Sequence, residues 1–388
     1  MKFVVDRNIP FAESALATIA GARVVSVPAR DITPELVKDA DIVWTRSTVK
    51  VGAPLLAGST VKMVGTATIG VDHMDLAWLD AHGIAWASAP GSNAASVQLW
   101  WAAALSTIAV ERTRHLARLT VGIVGVGHVG SLVESLARGM GCRVLRCDPP
   151  RARAEGTGDF VRLDQLCRES DIVTFHVPLT TREQSPDWTV DLLDGHHCSL
   201  LKERAIVVNA SRGQVVDYAA LLAVQAEKSL TIALDVFHPE PEVPPALVDA
   251  AIIATPHIAG HSLDGKANGT QMIYEATCRH LGERPTWQAA RALPEPPVRA
   301  MTLTAMRMSD EEALRKVLRR FYTIEDDDAA MRKIVKLPDN ERARAFADYR
   351  GAYPVHRELH DLELQMIPAR PLAVGALRAL GVKVVERG

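Results

Sequence analysis

Three residues suited to oxidising a hydroxy acid stand far apart in this chain, each just beyond an apolar run. Arg212 closes Val207-Val208-Asn209-Ala210-Ser211-Arg212, Glu240 follows Ala233-Leu234-Asp235-Val236-Phe237, and His257 ends Ile252-Ile253-Ala254-Thr255-Pro256-His257. Taking a hydride from carbon requires the neighbouring hydroxyl to lose its proton, and an imidazole is the natural base near neutral pH. A carboxylate beside that imidazole fixes its tautomer, the role open to Glu240. Arg212 is suited to hold a substrate carboxylate through two parallel hydrogen bonds. Taken singly, the same residues read as a helix-capping arginine, a solvated loop acid and a structural histidine. Their company decides between the readings.

That company is Gly125-Val126-Gly127-His128-Val129-Gly130, set between the apolar run Thr120–Val124 and a helical stretch over 131–138. Gly125 permits a tight turn, Gly127 lets the backbone approach a pyrophosphate, and Gly130 lets the helix pack closely. With His128 and Val129 the loop opens a helix N-terminus whose N–H groups attract an anion. Asp148 ends the next apolar run, eighteen residues after Gly130, where a ribose-binding acid is expected. Its charge would repel a 2′-phosphate, so the expected cofactor is NAD. Arg151 and Arg153, close behind, keep NADP as the alternative.

The elements that must carry these residues alternate. Short apolar runs at 3–6, 23–27, 41–44, 61–65 and 84–86 read as strands, with helical stretches at 10–19, 34–38, 53–57 and 75–81 between them. After a long apolar helix over 94–114 the pattern restarts, with strands at 119–125, 143–147, 171–176, 205–210, 231–236 and 251–255. Such alternation implies parallel sheets covered on both faces, so the expected fold class is α/β. Two doubly wound parallel sheets, one flavodoxin-like and one Rossmann, are expected in tandem. Ligands bind beyond the carboxyl ends of such strands, which places Asp148, Arg212, Asp235 and His257 around one crevice. Prolines 285, 294, 296 and 297 break the pattern, and charged helical stretches at 310–322 and 339–349 lead to a last strand at 381–385. The expected domains are 1–93 with 264–284, a nucleotide domain over 94–263, and a small α/β appendage over 285–388 used for oligomerisation.

Composition narrows the function. Lys plus Arg at 44 against Asp plus Glu at 46 leaves a net charge of −2, with no general attraction to nucleic acid or membrane. Five cysteines form no CxxC pair or metal-ligand spacing, so reduced buried thiols and no metal are expected. The N-terminus meets Asp6 too soon to hold a signal-peptide core, and the apolar window 94–110 is short for a bilayer span. A cytoplasmic protein is expected.

The segments Gly122-Ile123-Val124-Gly125-Val126-Gly127-His128-Val129-Gly130 and Asn209-Ala210-Ser211-Arg212-Gly213-Gln214-Val215-Val216-Asp217 resemble the D-2-hydroxyacid dehydrogenase family, in which Arg, Glu and His occur in this order. The resemblance implies that Arg212 binds the substrate carboxylate, Glu240 pairs with His257, and His257 gives or takes the proton. Further stretches, Arg46-Ser47, Thr66-Ala67-Thr68-Ile69-Gly70, Cys147-Asp148-Pro149-Pro150-Arg151 and His257-Ile258-Ala259-Gly260, resemble a branch of that family whose substrate is a phosphorylated four-carbon hydroxy acid. That likeness implies substrate contacts at Ser47 and Thr68, and a cofactor cleft lined by Asp148, Val177, Ala210, Asp235 and Gly260; a phosphate needs further donors, and Arg46 beside Ser47 is the best-placed cation, with a surface salt bridge as its alternative. It also implies a homodimer formed through the C-terminal segment. His261, at a substrate-contacting position, replaces the tyrosine usual in that branch, and Asn268 replaces an arginine. Two other readings remain: a dehydrogenase of another D-2-hydroxy acid, such as glycerate, and a non-catalytic NAD-sensing protein.

Overall fold

The computed structural model describes residues 1–156 and 158–385. Thr157 and positions 386–388, assigned above to the nucleotide and C-terminal domains, lie outside the described residues. The chain forms two compact units, Met1–Ala94 with His261–Glu295 and Ala95–Gly260 with Pro296–Gly388.

In the first unit β1 (Lys2–Asp6), β2 (Arg23–Val27), β3 (Ile42–Thr45), β4 (Met63–Thr66) and β5 (Ala85–Ala87) form one parallel sheet in the order β2-β1-β3-β4-β5. Side chains of a strand alternate between faces, and here both faces are covered. Val4, Val43 and Val64 enter one apolar cluster, whereas Phe3, Val5, Ile42, Trp44 and Met63 enter another with Ile273 and Tyr274. The latter two come from the helix Leu263–Leu281, which Ser262 caps by accepting the Gly265 N–H at 2.9 Å.

The second unit holds β6 (Thr120–Val124), β7 (Arg143–Cys147), β8 (Ile172–Phe175), β9 (Ile206–Asn209), β10 (Thr231–Leu234) and β11 (Ile253–Ala254). They pair in parallel in the order β11-β10-β9-β8-β6-β7, so the direction of winding switches between β6 and β8. The helix Ala94–Glu111 is apolar all round because it lies inside this unit, with Trp100, Trp101, Leu105 and Ile108 fully buried.

The C-terminal segment forms a three-stranded parallel sheet of β12 (Ala300–Thr304), β13 (Glu363–Ile367) and β14 (Lys383–Val385) with four helices. From Pro296 onward it falls in the same compact unit as the six-stranded sheet, whereas His261–Glu295 falls in the first. Its helix Pro371–Ala379 crosses the glycine-loop helix His128–Gly139 where Gly375 meets Gly139, and a Cβ on Gly139 would lie 2.6 Å from the Gly375 carbonyl oxygen. Side chains from both helices, among them Val133, Leu136, Val374 and Leu377, share one apolar cluster. Among the described residues no helix is long and apolar enough to cross a membrane.

Candidate active site

Because every strand of the six-stranded sheet runs the same way, the chain segments leaving its carboxyl ends share one edge. Gly125 follows β6, Asp148 follows β7, His176 and Val177 follow β8, Ala210 and Arg212 follow β9, Asp235 and Glu240 follow β10, and His257 follows β11. A hollow of about 270 Å³ on this edge is lined by Arg212, Gly213, Gln214, Phe237, His238, Pro239, Glu240 and His257. The three separated residues of the sequence therefore meet.

Glu240 Oε2 and His257 Nδ1 lie 2.7 Å apart, and Glu240 Oε1 accepts the Phe237 N–H at 2.7 Å. A carboxylate only accepts, so it assigns the proton of neutral His257 to Nδ1 and leaves Nε2 with a lone pair. Burial opposes ionisation of Glu240, but the His257 charge and hydrogen bond, the Phe237 N–H and the Arg350 charge together hold the carboxyl below its usual range.

His257 sits at φ 55°, in the left-handed region that a residue with a side chain rarely occupies. The neighbouring backbone is tied down by Asp235, 1% exposed, whose carboxylate accepts from Thr255 Oγ1 at 2.6 Å, Ile258 N at 2.8 Å and Ala259 N at 2.9 Å. Burial pushes the Asp235 carboxyl up to about 6, against the downward pull of His257 and these three donors. Thr255 in turn accepts the indole N–H of Trp100 at 2.9 Å, and the neighbouring Trp101 donates to Thr174 at 3.2 Å. The Thr174 hydroxyl lies 3.0 Å from His176 Nε2, and burial pushes that imidazole down to about 3.

Arg212 is placed by two residues the sequence did not single out. Buried Asn209 donates to the Arg212 carbonyl at 3.0 Å and accepts from Ser211 N at 3.0 Å and Ser211 Oγ at 2.9 Å, folding the turn back on itself. At Gly213 any Cβ would overlap the Phe237 carbonyl, so this glycine lets the arginine loop and the glutamate loop touch. Tyr218 joins the same two loops by donating to the Val236 carbonyl at 3.0 Å. The sequence held a faint signal for Gly213, which directly follows Arg212; Asn209 and Tyr218 are ordinary residues until the turn is seen.

The glycine loop fits a dinucleotide. A Cβ at Gly130 would overlap the Gly125 carbonyl, and one at Gly125, where φ is 84°, would lie 2.7 Å from the His176 carbonyl oxygen. At Gly127 nothing lies within 4 Å of the same position, so the loop is open where a pyrophosphate must approach. Asp148 braces it: one carboxylate oxygen accepts the Val126 N–H at 2.8 Å and the other the Arg151 N–H at 3.1 Å, capping the helix Pro149–Glu155. His128 and Val129 open the helix His128–Gly139, and Gly260 follows the turn that Asp235 holds. Among the described residues no group of three or more His, Cys, Asp or Glu is arranged to hold a metal.

The remaining candidates belong to the first unit. Arg46 and Ser47 follow β3, and Thr68 follows β4, the strand next to it. Arg46 Nε donates to Asp6 Oδ2 at 3.0 Å, an ion pair anchored on a fully buried carboxylate at the end of β1. Thr68 Oγ1 lies 2.8 Å from Thr66 Oγ1 and donates to the Gly70 carbonyl at 3.1 Å, while Ser47 is exposed. His261 stands just before the cap of the helix Leu263–Leu281.

Residues 92–259 match the model of the D-isomer specific 2-hydroxyacid dehydrogenase NAD-binding domain, and residues 292–381 match a domain of unknown function, DUF3410. Among solved structures, D-lactate dehydrogenase from Aquifex aeolicus with NAD and lactic acid superposes with a TM-score of 0.58 at 23% identity, over 73% of this chain and 96% of that one. A cofactor-bound 3-phosphoglycerate dehydrogenase from Entamoeba histolytica gives 0.61 at 24% identity, over 73% and 95%. The glycine loop, the strand order and these likenesses define the fold of the NAD-binding 2-hydroxyacid dehydrogenases. Erythronate-4-phosphate dehydrogenases from Marinobacter nauticus and Proteus mirabilis are 41% and 38% identical to this chain, covering 99% and 100% of it and all of their own length. The chain belongs to the erythronate-4-phosphate dehydrogenase family.

Proposed function

We propose that this protein oxidises 4-phospho-D-erythronate to 2-oxo-3-hydroxy-4-phosphobutanoate with NAD, a step toward pyridoxal 5′-phosphate. The reading is carried by one observation, the 2.7 Å Glu240–His257 pair beside Arg212 in a chain similar over its full length to enzymes of that name. Bound NAD supplies the hydride acceptor. Arg212 holds the substrate carboxylate by charge-assisted hydrogen bonds and fixes C2 and its hydroxyl in the hollow. His257 Nε2 takes the hydroxyl proton as the C2–H bond breaks, and Glu240 steadies the imidazolium that results. In the reverse direction the imidazolium returns the proton to the carbonyl oxygen.

Arg46, Ser47, Thr68 and His261 are assigned to substrate, and Gly125, Gly127, His128, Val129, Gly130, Asp148, Val177, Ala210, Asp235 and Gly260 to the cofactor. A cytoplasmic homodimer joined through the C-terminal segment completes the proposal. It is supported by Met306, 67% exposed, and Ile367, 49% exposed, adjacent where Ala305 N donates to the Ile367 carbonyl. Initial rates of NAD reduction with 4-phosphoerythronate, D-lactate, D-glycerate and 3-phosphoglycerate test the substrate. A kcat/KM for 4-phosphoerythronate no higher than for the others would reject it. Light scattering on the purified chain tests the dimer, and a monomer mass at micromolar concentration would reject that part.

A further inference from the structure

The C-terminal segment reaches the active-site edge of its own unit. Arg350, on the helix Asp339–Gly351, donates from Nε to the carbonyl oxygen of His257 at 3.2 Å. Its guanidinium stands over the ring of Phe346 one turn earlier, 5.6 Å from the centroid, and Phe346 is only 1% exposed. Phe346 lies in the apolar cluster that also holds Phe237, Val243 and Leu247, the residues flanking Glu240. The arginine is therefore mounted on the packing that carries the glutamate loop. A second bond from the same segment fixes the strand before His257: Asp328 accepts the Ala254 N–H at 2.9 Å, and Arg332, paired with Asp328 at 2.8 Å, donates to the Val248 and Ala251 carbonyls at 3.1 and 2.8 Å.

We propose that Arg350 is a positioning residue for the reaction, through which the segment that matches a domain of unknown function holds His257 in its left-handed backbone and aims a positive charge at the Glu240–His257 pair. The inference rests on the catalytic reading given under Proposed function. Physically it is needed because a left-handed histidine is strained and persists only where its surroundings over-determine it. Asp235 fixes the N–H groups of Ile258 and Ala259, and Arg350 fixes the His257 carbonyl just before them. Without Arg350 the imidazole keeps its Glu240 bond but loses one of the restraints on where its Nε2 points. Among the described residues, the charged or titratable groups facing the pair are Asp235 after β10, Arg212 after β9, Tyr218 on the helix that follows, His238 in the glutamate loop, and Arg350.

The test uses the full-length chain carrying Arg350→Met, which removes donor and charge, Arg350→Lys, which keeps the charge, and Arg350→Gln, which keeps a neutral donor. Arg350→Met should lower kcat about 10- to 100-fold, the scale of a small misplacement of a reacting group, with KM for NAD within twofold of wild type. Losing the nearby cation lets the pair hold its proton more tightly, so the acid limb of the kcat–pH profile should move up by about half a unit. Arg350→Lys should return the limb and part of the rate, a rescue that a purely structural arginine would not allow. A folded Arg350→Met enzyme with wild-type kcat and limb overturns the inference, as does a rate loss with an unmoved limb and no rescue by lysine. If the methionine variant does not fold, Arg350→Gln is judged by the same two readouts. His257→Asn separates the two levels. Normal turnover in that variant overturns the catalytic reading together with this inference, whereas its loss beside wild-type behaviour of the Arg350 variants overturns this inference alone.

Discussion

Replacing Glu240 by glutamine changes one atom of the pair and tests why a carboxylate is required there. In the native arrangement Oε1 accepts from Phe237 N and Oε2 from His257 Nδ1, each at 2.7 Å, so both contacts need an acceptor. Glutamine offers only one. If its oxygen stays on Phe237, its NH₂ faces Nδ1 and neutral His257 must carry its proton on Nε2, where it cannot take one from substrate. If the amide flips, Nδ1–H is satisfied but two donors confront each other at Phe237, at a cost of about 1–3 kcal/mol. In both cases the imidazolium formed in oxidation loses a hydrogen bond to a charged group, about another 1.5–3 kcal/mol. Together these predict a fall in kcat of about 10²–10⁴-fold, at 1.4 kcal/mol per decade. The assay is NADH formation at saturating NAD and hydroxy acid across pH 6–10, with thermal unfolding as a control for folding. A Glu240→Gln enzyme within fivefold of wild type across that range would refute the tautomer argument and the role given to Glu240.

Other outcomes follow from the same geometry. Arg212→Ala should lower kcat/KM by about 10²–10⁴-fold, because it removes charge-assisted bonds to the substrate carboxylate, and a saturation curve separates the KM part from the kcat part. Gly213→Ala should destabilise the fold by about 1–3 kcal/mol in urea unfolding and slow turnover, since its Cβ would force the arginine and glutamate loops apart. His176 bears on acid stability. Its folded value, pushed down by burial to about 3, lies below the unfolded value near 6.5, so the unfolded chain binds the extra proton between them. That contribution is complete above about pH 6.5 and falls away as pH drops toward 3, so the urea midpoint should decline between pH 7.5 and 5 and decline less in His176→Gln. An identical slope in both proteins would assign the acid lability elsewhere.

Much of this molecule was legible before any coordinates. Both large sheets follow from apolar runs of strand length bounded by turn residues, because strands covered on two faces must be apolar throughout. The shared edge followed from parallel strands alone, which is why Arg212, Glu240 and His257 could be joined across 45 residues. The C-terminal segment is less legible. Its final strand and two charged helices follow from the pattern, but Ala300–Thr304 alternates exposed and buried positions weakly, and the helix Ile324–Ile334 hides its apolar face among six acidic and basic neighbours. The tie from Arg350 to His257 had no signature, since an arginine on a charged helix normally faces water and a backbone carbonyl leaves no mark on composition. Asp235 shows the opposite case. Its place at a strand end was plain, yet its work of holding the turn 255–259 depends on a fully dry environment that only packing reveals.

The carboxylate of Asp328 on the Ala254 N–H bears on whether the C-terminal segment could be removed. A two-residue strand at the border of a sheet is an open template for another chain, and here an appended helix seals it in place of a further strand. Met331, Ile334, Val335 and Phe346 from the same segment complete an apolar cluster that the nucleotide-binding portion begins. Cutting the chain after Glu295 would thus not yield a self-sufficient smaller dehydrogenase. It would leave an unsealed strand border and an unfinished core, so the nucleotide-binding portion depends on the added domain for its own packing.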